Sequence, residues 1–100
     1  MEYELRLKTG FFETKFYDLQ INKGKLRLSP KIPGDKEILL LEKDISDLLL
    51  KNGEDLEIEI NTLGQSYQGT ITNKADYEVL LSGLKTNLNI KILCEYEGGI

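Results

Sequence analysis

The sequence has no histidine, no tryptophan, one cysteine and two prolines, and its longest apolar run is the four residues Ile38–Leu41. Each shortage excludes something. Without histidine the commonest general base is missing. Cys94 alone cannot staple a fold, which argues against a disulfide scaffold and so against secretion. A four-residue apolar run is far too short for a membrane helix. The opening MEYELRLK alternates charged and apolar residues, unlike a signal peptide. The expectation from these absences is one cytoplasmic domain spanning residues 1–100. A chain of this length buries about 60–70% of the surface it exposes when unfolded, and so folds without staples.

The net charge of −4 is unevenly spread: residues 1–36 carry +3 and residues 37–100 carry −7. The acidic total speaks against non-specific nucleic-acid binding, which depends on phosphate neutralisation by Lys and Arg. The basic excess in the first third still allows a local cationic face.

Period-two alternation dominates the chain. Tyr3, Leu5 and Leu7 share one face of a first strand over 2–9, and Tyr17, Leu19 and Ile21 share one face of a second over 15–22. Asn22-Lys23-Gly24-Lys25 forms a hairpin turn, with Gly24 free to take a positive φ. Leu26 and Leu28 continue inward over 25–29. Both prolines and a glycine make SPKIPGDK a loop. Strands follow at 37–42 and 48–51, interrupted at Asp44-Ile45-Ser46. Asn52-Gly53 is a strong hairpin signal, placing Leu56, Ile58 and Ile60 inward on the next strand. Ser66–Thr72 alternates through Tyr67, Gly69 and Ile71.

One helix is expected over about 74–88. Asn73 serves as its N-cap, Asp76 lies in its positive first turn, and Tyr77, Leu80, Leu81, Leu84 and Leu88 form one apolar stripe. Asn87 or Asn89 closes it. Ile90–Glu97 returns to strand, with Ile90, Ile92, Cys94 and Tyr96 on one face. The result is a mainly β domain with one C-terminal helix and an extra strand at about 90–97. Its expected core comprises the inward residues named above from Leu5 to Leu28 together with Leu40, Ile58, Ile60, Ile71, Leu80, Leu81 and Leu84. Seven short strands at regular spacing favour a barrel or sandwich, and the helix caps the open end.

The order of these pieces resembles a bacterial pleckstrin-homology-like (PH-like, GRAM-like) domain. The residues that carry the resemblance are YDLQINKGKLRLSP and EILLLEKDISDLLLKNGEDLEIEINTLGQSYQGTITNKADYEVLLSGLKTNL. They imply a seven-stranded bent antiparallel barrel capped by an α-helix. The chain departs from that pattern twice: the tryptophan of the classical pleckstrin helix has no counterpart, and the strand at 90–97 lies beyond the usual end of the fold.

No catalytic residue, cofactor or metal is expected. The chain has no Gly-rich phosphate loop and no Cys/His metal spacing. Asp55, Glu57 and Glu59 are read as a solvated strand face, and Cys94 as a packed core thiol. Two binding roles compete. The leading one is a non-catalytic interaction module that binds a protein partner or itself, as a homo-oligomer, through a sheet edge or the groove beside the helix. Its candidate interaction strand carries Ile90, Ile92, Cys94 and Tyr96. The alternative, implied by the resemblance, is a peripheral membrane domain that binds anionic lipid headgroups or another acidic ligand. Its candidates are Lys8, Lys15, Lys23, Lys25, Arg27, Lys31 and Lys36, with Phe11 and Phe12 entering the bilayer interface.

Overall fold

Each alternating segment becomes a strand, and all the strands join one curled sheet. The computed structural model describes residues 2–96. The strands are β1 (Glu2–Lys8), β2 (Thr14–Asn22), β3 (Lys25–Pro30), β4 (Ile38–Leu41), β5 (Ile45–Asn52), β6 (Leu56–Thr62), β7 (Ser66–Ile71) and β8 (Lys91–Tyr96), with helix α1 (Tyr77–Asn87) before the last. Their order across the sheet is β4-β3-β2-β1-β7-β6-β5-β8. Hairpins build β1–β4 and β5–β7, and an antiparallel seam between β1 and β7 joins the two halves. The seam holds three residue pairs: Leu5 with Ile71, Arg6 with Thr70, and Leu7 with Gly69.

Alternation sends Tyr3, Leu5, Leu7, Tyr17, Leu19, Ile21, Leu26, Leu28, Leu40, Ile58, Ile60 and Ile71 into one core, as their spacing predicts. Ile45, Leu48 and Leu50 of β5 join them. Leu80 and Leu84 of α1 and its C-cap residue Leu88 press into the same cluster, so the helix closes the curl of the sheet. Leu81, expected in the core, is half-buried at its margin.

Four local expectations change. The helix starts at Tyr77, and its N-cap is Asp76, whose carboxylate accepts the Val79 N–H at 3.1 Å. Asn73 is instead held by β1: its side-chain oxygen accepts the Glu4 N–H at 2.8 Å, beyond the end of the β1–β7 ladder. The interruption after β4 is a short 3₁₀ turn at Glu42–Asp44, and β5 begins at Ile45 rather than Leu48. A register shift between Ile45 and Asp47 absorbs the extra residue while keeping both Ile45 and Leu48 inward. Finally, Cys94 is not a core thiol. It pairs with inward-facing Leu50, but at the outer margin of the sheet, where no further strand covers it, and it is exposed.

The extra strand pairs with its own sheet, parallel to β5. On the outer face its register sets Lys91 beside Asp47, Leu93 beside Leu49 and Glu95 beside Lys51. Unlike charges and matched apolar groups meet, which is the cross-strand chemistry that stabilises a register. On the inner face Ile92 lies beside Leu48 and packs on the core, as does Ile90.

Candidate interaction surfaces

Three surfaces hold the residues singled out by the sequence: the tip of the β1–β2 loop, the basic side chains of the first hairpins, and the margins of the sheet. At the tip, the Thr9 and Gly10 amides both donate to the Glu13 carbonyl, at 2.9 and 3.2 Å. That turn throws Phe11 and Phe12 outward, 87% and 95% exposed, with their rings edge to face at 4.8 Å. The adjacent cations are Lys8 at the end of β1, opposite Thr14, and Lys15 opposite Leu7.

The seven basic candidates do not converge. Lys8 and Lys15 lie near the phenylalanine tip. Lys23 stands on the β2–β3 turn, beyond Asn22, which is about 24 Å of strand away from Lys15. Three of the seven are already paired. Lys15 Nζ lies 3.3 Å from Asp35, Arg27 Nε lies 3.2 Å from Glu37, and Lys31 Nζ bridges Asp18 at 2.9 Å and Glu4 at 3.4 Å. The Asp35 carboxylate raises the pKa of Lys15, and hydrogen bonding to Asp18 raises that of Lys31. Lys8, Lys23 and Lys36 are exposed, while Lys25 is half-buried between Asn22 and Leu41.

Lys31 reaches back from the loop after β3 to Glu4 and Asp18, which face each other across β1 and β2. Glu4 also accepts the Thr72 hydroxyl at 2.7 Å, so it ties β1 to the end of β7. The Thr72 hydrogen bond, followed by Lys31, lowers its pKa. A carboxylate with a depressed folded-state pKa stabilises the fold above its unfolded pKa, and that contribution is lost as pH falls through the folded value. Glu4→Gln is therefore expected to lower the urea midpoint near neutral pH. The gap from the parent should be constant near neutral pH and close as pH falls below the ordinary glutamate range, as the parent loses the same charge. A gap independent of pH would mean that Glu4 acts through packing alone.

The acidic strand face is occupied by amides. Glu59 accepts the Gln68 amide at 2.6 Å and the Asn61 amide at 3.2 Å, and Asn61 also donates to Asp47 at 2.7 Å. Among the described residues no group of three or more His, Cys, Asp or Glu side chains is placed to hold a metal ion. A shallow depression at the end of α1 is lined by Lys23, Glu42, Lys85 and Asn89. Two backbone amides donate among these residues: the Gly24 N–H to the Asn87 carbonyl at 2.8 Å, and the Asn89 N–H to the Glu42 side-chain carboxylate at 2.6 Å. These bonds dock the β2–β3 turn and the 3₁₀ turn against the helix terminus.

Among the described residues the sheet does not close on itself. β4 ends it on one side and β8 on the other. Leu39 and Leu41 of β4 and Leu93 of β8 are exposed on these margins. Tyr96 falls within β8, but its side chain lies outside the described residues, as does Glu97.

A solved structure of the Spt16D Pob3N heterodimer matches with a TM-score of 0.72 over 100% of this chain, at 14% sequence identity. The fold is pleckstrin-homology-like. The chain spans 58% of the length of that neighbour, and at this identity the likeness speaks for fold alone. No protein-family model matches the sequence, and no curated protein matches it. Among the described residues no helix is long and apolar enough to cross a membrane.

Sequence reasoning named the β8 face as the edge to watch and passed over β4. The signal for β4 was present in Ile38–Leu41, an apolar run that leaves no polar face. It suits a strand buried on both sides, whereas β4 is a margin.

Proposed function

We propose that residues 1–100 act as one non-catalytic interaction module of the cytoplasm that engages a protein partner through a free edge of its curled sheet. The observation that carries this reading is the open sheet: its two margins, β4 and β8, both present exposed leucines. Unpaired strand edges are templates for an added strand, and exposed apolar side chains beside them supply the contact area. The neighbour of this fold was solved as a heterodimer, which fits the same role. Association with a second copy and use of the groove beside α1 belong to the same class of function. The narrower kinship with bacterial GRAM-like domains rests on the sequence pattern.

A lipid reading is favoured by one observation, the phenylalanine pair standing out beside Lys8. It is weakened by the ion pairs at Lys15, Arg27 and Lys31 and by the separation of the basic residues. One experiment weighs both. A photo-crosslinking phenylalanine analogue is placed at Leu39, at Leu93, or at Gln68 as a control away from the margins, in the native cell. Protein adducts of discrete mass are expected from an edge position and not from position 68. Absence of edge adducts would sink the protein reading. Salt-sensitive pelleting with membranes, abolished by Phe11→Ser/Phe12→Ser, would transfer the function to lipid.

A further inference from the structure

Building on the interaction-module reading, we infer that β4 is the edge that is used, and that its occupant is an extended segment of a partner protein in which apolar and acidic residues alternate. The two edges differ in chemistry. Outer-face rows running to β8 end in Lys91, Leu93 and Glu95, so charge guards two of three positions. Outer-face rows running to β4 pass from Gln20 to Arg27 to Leu39, and from Asn22 to Lys25 to Leu41. They are polar until the last strand and apolar at the margin. Proteins protect open edges with charge, proline, bulges or very short strands; β4 is short, at four residues, but contains none of the other three.

The peptide groups on this edge point outward. The Glu42 N–H donates to the Gly24 carbonyl at 2.9 Å on the β3 side. Hydrogen-bonding direction alternates along an antiparallel strand, so Leu40 and Ile38 also face β3, while Leu39 turns its N–H and C=O and Leu41 its N–H to the free side; the Leu41 carbonyl, at the N-cap of the 3₁₀ turn, serves that turn. The same two residues have side chains 48% and 37% exposed. Backbone and side chain thus become available together.

Charge selects the occupant. Among the described residues Lys23, Lys25, Lys36 and Lys43, in β3 and the turns that flank β3 and β4, form no ion pair, whereas Arg27 and Lys31 are neutralised by Glu37, Glu4 and Asp18. A strand laid beside β4 would send alternate side chains to the outer face, toward Lys25, and the others toward Leu40 and half-buried Ile38 at the rim of the core. Acidic residues suit the first set and apolar residues the second. A second copy of β4 would instead bring two such basic margins together. Leu39 and Leu41 supply at most about three ladder hydrogen bonds, so charge must carry much of the affinity, and binding must weaken with salt.

The test titrates the isotopically labelled full chain with a synthetic decapeptide alternating valine and glutamate, followed by amide chemical shifts. The Leu39 and Leu41 amides should move. Apparent affinity should fall at least about tenfold when lysine replaces glutamate, when alternate peptide nitrogens are methylated, or at high salt. Leu39→Pro removes an outward N–H and no β3–β4 hydrogen bond, so the fold should persist and binding be lost; Leu41→Glu, which keeps the backbone intact and repels the outer-face glutamates of the peptide, should also lower the affinity. Equal binding of the lysine peptide, or no shift at any concentration, would overturn the inference. Shifts centred on β8 would overturn the choice of edge and leave the module reading standing. Concentration-dependent protection of Leu39 and Leu41 without peptide would identify the occupant as a second copy and overturn the acidic segment. Movement of these amides with anionic vesicles and not with the peptide would overturn both readings.

Discussion

Gly69→Ala is expected to destabilise the protein by about 1–3 kcal/mol, and Gly69→Val by more, as a fall in urea midpoint at unchanged slope. The direction is the informative part. Glycine inside a strand is ordinarily worse than alanine by about 0.5–1 kcal/mol, so the substitution would normally stabilise. Here Gly69 faces inward on β7 at the seam with β1, paired with Leu7. A Cβ at this position would lie 2.7 Å from Leu5 Cδ1, 2.9 Å from Leu5 Cγ and 2.9 Å from the Arg6 carbonyl oxygen. Leu5 is fully buried, and Arg6 is held in the seven-pair ladder between β1 and β2. Neither can withdraw without opening the seam that joins the two halves of the sheet. A Gly69→Ala variant as stable as the parent, or more so, would show that the seam is looser than this geometry.

The second large effect is expected at the helix seat. Leu84→Ala should cost about 2–5 kcal/mol, because Leu84 is fully buried where α1 enters the core of the sheet. Val79→Ala, on the same helix but 51% exposed, should cost within about 0.5 kcal/mol. The contrast tests the assignment of faces and not merely helix propensity, since both changes place alanine in the same helix. A cost below about 0.5 kcal/mol at Leu84 would mean that the stripe does not seat the helix.

These two positions illustrate how far sequence reasoning reaches. The leucine stripe of α1 was legible because helical periodicity is local: residues three and four apart share a face whatever the helix packs on. Gly69 could be placed on the inward face by the same logic, from its alternation with Tyr67 and Ile71. Its necessity could not be seen, because the crowding comes from Leu5 and Arg6, more than sixty positions away in the chain. The N-cap shows the same division. Asn73 and Asp76 are both good caps by residue type, and a long-range bond from Glu4 to Asn73 left the helix terminus to Asp76.

The candidate surfaces were legible to a smaller degree. A loop tip between two strands suggested the exposure of Phe11, while Phe12 could equally be read as core; the structure exposes both. The pairing of Lys15, Arg27 and Lys31 did not, since each ion pair depends on where loops and neighbouring strands bring a carboxylate. A count of basic residues over 1–36 records charge and says nothing of its partners.

Residue order alone determined the eight strands and the one α-helix, the inward face of nearly every strand, and the helix as lid. All of these follow from periods of two and 3.6 residues, written locally in the chain. Tertiary structure decided that β8 runs parallel to β5 within its own sheet, that Cys94 is exposed, and that β4 is an open margin whose exposed leucines share their edge with outward peptide groups. Whether a strand lies inside a sheet or at its edge depends on which other strands reach it. For β4 and β8 that outcome rests on the pairing of β1 with β7 and of β5 with β8, between segments distant in the chain.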